Sequence, residues 1–507
     1  MKKIYIYIII FTLISCKEDF LERYPLAQPS SETFWTSADN AGMWVNQLYN
    51  GLPNGENAYK ENWTDNAFAR TKPETSGGEI ANGTFQTNSL IVLGEWDYSN
   101  IRRCLEFFED VELIPNITQG RKDELTGQVR FILAFKYFEL ITLFRDVPLV
   151  TKPLTIKESD IPKSPKSEVL SYILEQLDKA IDELPLTWPI SETGRITKGA
   201  ALALKARVLL YNERWAEAAS TAKQLMDLNL YTLHPHFGEL FIRSFNNKTK
   251  EVILAYQYAK TVREHDIFQK FDIIANGGFS MVLPLPDLAN SFECIDGLPI
   301  DESPLYDPAN PFNNRDPRFY ETFIYPYQTF VGYYYDPFSS QNAAMSLTYL
   351  HFRKYINDKQ KGEINSNVNW ILFRYAEVLL TYAEAKNEAN GPDNSIYDAL
   401  NLVRLRAGMP IVNRVKYDTK EKLRDLIRNE RRVELAAEAP LRYFDIIRWR
   451  IAEHVLNKVA TSFEIPGKLP LRVLETRVFN PNKHYVWPIP QNAIDKAKNL
   501  EQNTEWK

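Results

Sequence analysis

The chain has 507 residues, 44% hydrophobic and 25% charged, a composition that supports a large buried core and excludes a disordered chain. With 60 Lys and Arg against 65 Asp and Glu the formal net charge is −5, and no basic block stands out, which argues against a nucleic-acid partner. Three cysteines, Cys16, Cys104 and Cys294, are too few for a disulfide framework.

Lys2 and Lys3 precede an apolar run from Ile4 to Ile14, followed by Ser15, Cys16 and three charged residues. That is the layout of a secretory signal. As a helix the run would rise about 16 Å against a hydrocarbon core of roughly 30 Å, too short for a permanent span. Leu13, Ile14, Ser15 and Cys16 resemble the bacterial lipobox, which implies cleavage after residue 15 and lipidation of Cys16. Two or three acyl chains at about 0.8 kcal/mol per buried methylene make a stable anchor where a single chain does not. Lys17, Glu18 and Asp19 resemble the lysine-plus-acidic signal that follows the lipid cysteine in surface-exposed lipoproteins of Bacteroidetes. The segment 1–15 therefore reads as a lipoprotein signal peptide, with the mature body on the outer face of the outer membrane.

Further along, apolar stripes of helical period predict helices over 96–114, 127–144 and 167–184. In "TKGAALALKARVLLYNERWAEAASTAKQLMDLN", residues 197–229, Ala201, Leu204, Val208 and Tyr211 form one stripe. After a polar break, Trp215, Ala218, Ala222 and Leu225 form a second. This pair resembles a tetratricopeptide repeat, a helical hairpin that must stack on neighbours to bury its apolar face. Helices also fit 370–389, 395–407 and 420–457. Between them, 52–94 and 276–345 are rich in Gly, Pro, Asn and Ser with scattered aromatics, and read as long loops with short strands or hairpins. Loops of that size inside a compact domain usually serve function. The fold class is mainly α, with stacked tetratricopeptide-like hairpins and a long loop-rich, partly β face.

Seven segments stand in the order and spacing of the SusD/RagB family. They are "GQVRFILAFKYFELITLFRDVPLV", "GRITKGAALALKARVLLY", "NPFNNRDPRFYETF", "LFRYAEVLLTYAEAK", "ALNLVRLRAGMP", "NERRVELAAEAPLRYFDIIRW" and "YVWPIPQNAI". The resemblance runs from Cys16 to the C-terminus and divides the body into an N-terminal region, 16–230, and a C-terminal region, 231–507, of one compact unit. It departs at "LEQNTEWK", where Thr504, Glu505 and Trp506 replace the usual proline, glycine and aromatic. The resemblance implies a surface lipoprotein that sits over a TonB-dependent, SusC-like barrel transporter and captures a glycan, or in some members a peptide, for import. It implies a binding protein rather than an enzyme, with no cofactor, and ligand sites in loops on one face, away from the repeats.

Sugar recognition needs rings for pyranose C–H faces and polar groups for hydroxyls. "ENWTDNAFAR" offers Trp63, Asp65, Asn66 and Arg70, in competition with a self-bonded loop. "YPYQTFVGYYYDPF" offers Tyr325, Tyr327, Tyr333, Tyr334 and Tyr335, of which strand alternation lets at most about half face a ligand. Trp96, at the start of a predicted helix, is a further candidate whose alternative is the core. Glu430, Arg431, Arg432 and Glu434, with Arg442, Asp445 and Arg448, have the spacing of helix-borne ion pairs, and Arg315, Asp316 and Arg318 read as a loop clamp. His234 and His236 are two potential metal ligands without a third, so no metal is expected. No G-x-S-x-G elbow, H-E-x-x-H or complete phosphate loop is present; Gly78 and Gly83 have the loop spacing, but Thr84 stands where Lys is required. A glycoside hydrolase, whose carboxylate pair is set by distance in the fold, and a ligand-free scaffold remain the lesser alternatives.

Overall fold

The computed structural model describes residues 34–71, 77–438 and 440–507. The lipobox cysteine Cys16 and the acidic signal Lys17, Glu18 and Asp19 lie outside these. The longer helices are α1 (Ala38–Leu48), α2 (Ser99–Asp110), α3 (Gln119–Phe144), α4 (Lys166–Glu183), α5 (Lys198–Tyr211), α6 (Trp215–Asp227), α7 (Tyr375–Asn390), α8 (Asn394–Arg406), α9 (Lys420–Glu434) and α10 (Leu441–Arg448). In the helical half α3 packs on α4, α4 on α5, α5 on α6, α6 on α7, and α7 on both α8 and α9. This is the stacked arrangement the 197–229 hairpin requires, since one helical pair cannot cover its own apolar face.

Local chemistry sets the starts of these helices. Thr118, Thr197 and Thr419 each accept, through the side-chain oxygen, the amide two or three residues into the following turn, and Asp393 accepts the amides of Ser395 and Ile396. Such caps satisfy amides that have no partner inside the helix, each contributing about 1 kcal/mol. Helix α5 is buried on every side rather than along one stripe, because Ala200, Ala201, Ala203 and Ala206 admit neighbours all round. Its one buried cation, Arg207, donates to Glu377 at 2.8 and 2.6 Å and to the Leu372 carbonyl at 2.7 Å, so no charge is left alone in the stack.

The predicted helix 96–114 is shortened to Ser99–Asp110 and 127–144 lengthened to Gln119–Phe144, while 370–389 and 420–457 are interrupted. Residues 370–374 are not helical: Trp370–Arg374 is strand β8, paired antiparallel with β2 (Val252–Tyr256), and the helix begins at Tyr375. The run Trp-Ile-Leu-Phe-Arg is buried throughout, and a continuous apolar run carries no periodicity that separates strand from helix. Residues 420–457 are three helices, α9, α10 and Ala452–Val455, because Pro440 has no amide to continue a helix and Ala437 adopts a positive φ of 60°.

The loop-rich half holds short antiparallel pairs: β1 (Ala67–Ala69) with β3 (Val282–Pro284), β4 (Phe323–Ile324) with β7 (His351–Phe352), and the hairpin β5 (Thr329–Phe330) with β6 (Tyr333–Tyr334). One apolar core runs through both halves. At their seam Trp487 packs against Trp63, Phe85, Phe144 and Tyr443, and its indole N–H donates to Tyr443 Oη at 2.7 Å. The divergent C-terminus joins the same seam: Trp506 lies 5.2 Å from Phe85 and donates to the Val486 carbonyl.

Charge completes the join. Arg318 pairs with Asp316, Glu430 and Glu434; Arg374 pairs with Glu251, Glu434 and Glu438; Lys354 also reaches Glu438. These side chains are almost fully buried; the two arginines each face three carboxylates, and Lys354 adds the carbonyls of Glu434 and Ala436. The charged run of α9 and α10 is thus a bracket, but its partners are mostly on distant segments. Arg431 reaches Asp445 and Arg448 reaches Glu384, while only Arg448 with Asp445 keeps the within-helix spacing. Cys104 and Cys294 are buried free thiols.

Candidate ligand-binding site

The loop half presents aromatic rings to solvent. The β5–β6 hairpin turns through Val331 and Gly332, both at positive φ (50° and 77°), the two-residue turn whose twist matches antiparallel strands. At its base the Tyr327 amide donates to the Tyr335 carbonyl at 2.7 Å, and the Tyr335 amide to the Gln328 carbonyl at 2.8 Å. The hairpin holds Tyr334 62% exposed and Tyr327 42% exposed, and Phe338 and Phe279 open nearby surfaces of 43% and 49%. Tyr333 is half-buried, with the Lys361 ammonium 5.4 Å from its ring centroid.

Two guanidiniums border these rings. Arg70, just past β1, donates from Nε to the carbonyls of Phe279 and Ser280 at 2.8 and 3.1 Å, which fixes the plane of its head group. Arg472 lies over the Tyr349 ring at 4.5 Å and donates to the Ser346 carbonyl, and Tyr349 in turn packs against Phe338 at 5.7 Å. Between them His351 is buried and bonded to Tyr335 Oη at 3.0 Å. Burial, reinforced by the charge of Arg70, pushes its pKa down to about 3, so at neutral pH it adds no charge. Asn342 ties the segments together, its carboxamide nitrogen donating to the Asp336 carbonyl and its oxygen accepting the Ala275 amide.

Several residues singled out in the sequence lie elsewhere. Trp63 is fully buried in the seam, 5.3 Å from Tyr443 and 5.2 Å from Trp487, with no face left for a ligand. Asp65 is buried and accepts from Arg442 at 2.8 and 2.7 Å, with Arg432 at 2.9 Å. Burial would raise its pKa, but Arg432 and Arg442 outweigh that and hold it well below the usual carboxylate range. Asn66 donates to Glu61 and accepts from Arg432. These three therefore bind the loop half to α9 and α10, and of "ENWTDNAFAR" only Arg70 reaches the open face. Tyr335 is buried on His351, and Tyr325 is half-buried against Phe312 at 4.8 Å. Trp96 caps a short helix, Leu90–Glu95, rather than starting one. It packs on Phe144 in the helical half and lines an apolar cavity of about 240 Å³ with Tyr98, Ile101, Val150, Leu154 and Leu500.

Phe279, Phe338, Tyr349 and Arg472 were not singled out. The signals near them were "NGGF" at 276–279 and "DPF" at 336–338, turn sequences that hold an aromatic at a loop surface. His234 bonds Glu239 at 2.8 Å, and among the described residues no group of three or more His, Cys, Asp or Glu is placed to hold a metal ion.

Comparison with known proteins agrees with this architecture. The SusD family profile matches residues 250–506, and a second profile, described as starch-binding associating with outer membrane, matches 19–210. A SusD-like carbohydrate-binding protein from Bacteroides fragilis is 30% identical and superposes with a TM-score of 0.85 over 92% of this chain and 100% of its own. A second SusD-like protein from that species is 27% identical, with a TM-score of 0.84 over 95% of this chain and 100% of its own. A SusD-like protein of Formosa agariphila is 25% identical over 94% of this chain and 97% of its own length. On the profile, the fold and the order of the seven segments, the chain belongs to the SusD family.

Proposed function

We propose that this protein is a lipid-anchored, surface-exposed binder of the outer membrane that captures a glycan on its loop face and passes it to a TonB-dependent, SusC-like barrel transporter. The observation that carries the reading is the open aromatic face of Tyr327, Tyr334, Phe338 and Phe279 beside fixed guanidiniums. Pyranose C–H faces pack on such rings, while hydroxyls and substituents take the polar donors. The site we assign is therefore Tyr327 and Tyr334, with Tyr333 at the rim and Arg70 as donor. The carbohydrate-binding description of the Bacteroides fragilis relative supports the ligand class, and the profile that names outer-membrane association supports the location. Cys16 is the assigned lipid attachment point, with Lys17, Glu18 and Asp19 as the export signal.

A tethered binder needs a pore for its cargo, and among the described residues no helix is long and apolar enough to cross a membrane. Capture without cleavage is the reading that the carbohydrate-binding description of the Bacteroides fragilis relative supports. Solubilising membranes in gentle detergent and pulling on this protein should bring down a large TonB-dependent barrel, joined through an interface of roughly 2,000 Å² or more. Repeated recovery of the protein alone at low salt would overturn the partnership. A glycan array without any bound member would overturn the ligand class.

A further inference from the structure

Resting on the proposed glycan-binding role of this face, we infer that the ligand is an anionic polysaccharide, one whose sugars bear carboxylate or sulfate groups. In the buried frame Arg318, Arg374, Arg431 and Arg448 each meet carboxylates, while Arg315 is held by three backbone carbonyls. The cations of the loop face have neither arrangement. Arg70 spends only Nε on protein carbonyls, and among the described residues its two terminal amino groups meet no acceptor and it forms no ion pair. Burial lowers its pKa, and among the described residues no acidic neighbour offsets it. Arg472 has one long bond to a carbonyl and the Tyr349 ring beneath it, and likewise forms no ion pair. Lys361 adds a third cation beside Tyr333.

Between them His351 and Tyr335 are neutral, and the Asp336 carboxylate, which accepts the Phe338 amide within its own turn, offsets one of the three cations. In a chain of net charge −5, these groups of the open-ring face thus set three cations against one carboxylate. A guanidinium with a fixed plane and two unused N–H₂ groups has the geometry for a bidentate bond to a carboxylate or a sulfate. A neutral sugar would leave those donors to single hydroxyl bonds and would gain nothing from the field.

The test is an array of neutral, uronic-acid and sulfated polysaccharides, read with the full-length body and its Arg70→Gln, Arg472→Gln and Arg70→Lys variants. We expect binding confined to anionic members, weakened on the order of 10-fold or more by either Gln variant and partly kept by Arg70→Lys. It should also weaken several-fold for the unaltered protein between about 50 and about 500 mM salt. The uronic-acid and sulfated arms tell which substituent is read. Equal or better binding of neutral members, or affinity indifferent to salt, overturns the inference and leaves glycan binding intact. Binding to none overturns both. The salt series needs no variant to fold, so it decides the matter even if a substitution destabilises the chain.

Discussion

Replacing Tyr334 and Trp63 by alanine in parallel separates the ligand face from the seam. Tyr334 is 62% exposed, so little more than a third of the residue is covered by protein. At about 25 cal/mol per Å² of apolar area, that cover is worth about 1 kcal/mol of folding stability, part of which alanine retains. A sugar stacked on the open ring contributes on the order of 1 to 2 kcal/mol, so Tyr334→Ala should raise Kd about 5- to 30-fold. Trp63 is fully buried among Tyr443, Trp487 and the Lys60 ammonium. Its truncation leaves a cavity costing about 3 to 5 kcal/mol, with affinity unchanged in the fraction that stays folded. Titration calorimetry gives the first quantity and the denaturant midpoint the second. A Tyr334→Ala protein with unchanged affinity, or a Trp63→Ala protein with weakened binding and an unchanged midpoint, would refute the assignment.

Acid should loosen the fold through His351 and His265, whose pKa values burial pushes down to about 3 and about 4. The unfolded chain takes up these protons first, near pH 6.5. Their contribution is therefore fully present above that value and is lost as pH falls towards 4, by about 1.4 kcal/mol per pH unit for each group. Denaturant midpoints at pH 7 and pH 5 should show the loss, and His351→Phe should make it shallower. Asp65→Ala leaves Arg442 and Arg432 facing each other without their carboxylate, and should cost about 3 to 5 kcal/mol in the same assay. Cys16→Ala should abolish incorporation of labelled palmitate, and a labelled variant would contradict the anchor. Replacing Lys17, Glu18 and Asp19 together with alanine should leave the lipid in place and protect the protein from protease added to intact cells.

The helical half was legible because its hairpins repeat apolar residues at 3.6-residue spacing over spans such as 127–144 and 197–229. Strand β8 was not, since Trp370 to Arg374 is buried on both faces and abuts a helix, so the period vanishes where the two elements meet. The proposed site was half legible: loop context pointed to the hairpin tyrosines, of which Tyr327 and Tyr334 are open and Tyr335 is buried. "ENWTDNAFAR" misled because a ring beside three hydrogen-bonding groups has the same composition in an open site and in a wet-looking but buried seam. What decides between them comes from the far end of the chain, as Arg432 and Arg442 close on Asp65 and Tyr443 and Trp487 close on Trp63. Phe338, Tyr349 and Arg472 form one cluster only after the loops fold, so no local pattern could have joined them.

The buried charges around Glu434 and Arg374 give the molecule an electrostatics indifferent to its medium. Counter-ions cannot enter there, so brine leaves the join between the halves untouched. Warming favours it, because withdrawing ions from water becomes less costly as temperature rises. The proposed grip of half-buried guanidiniums on the open face has the opposite character and slackens as salt accumulates. The same side-chain chemistry thus serves as a rivet inside and a releasable clasp outside, and ionic strength can govern the clasp without disturbing the frame that holds it in position.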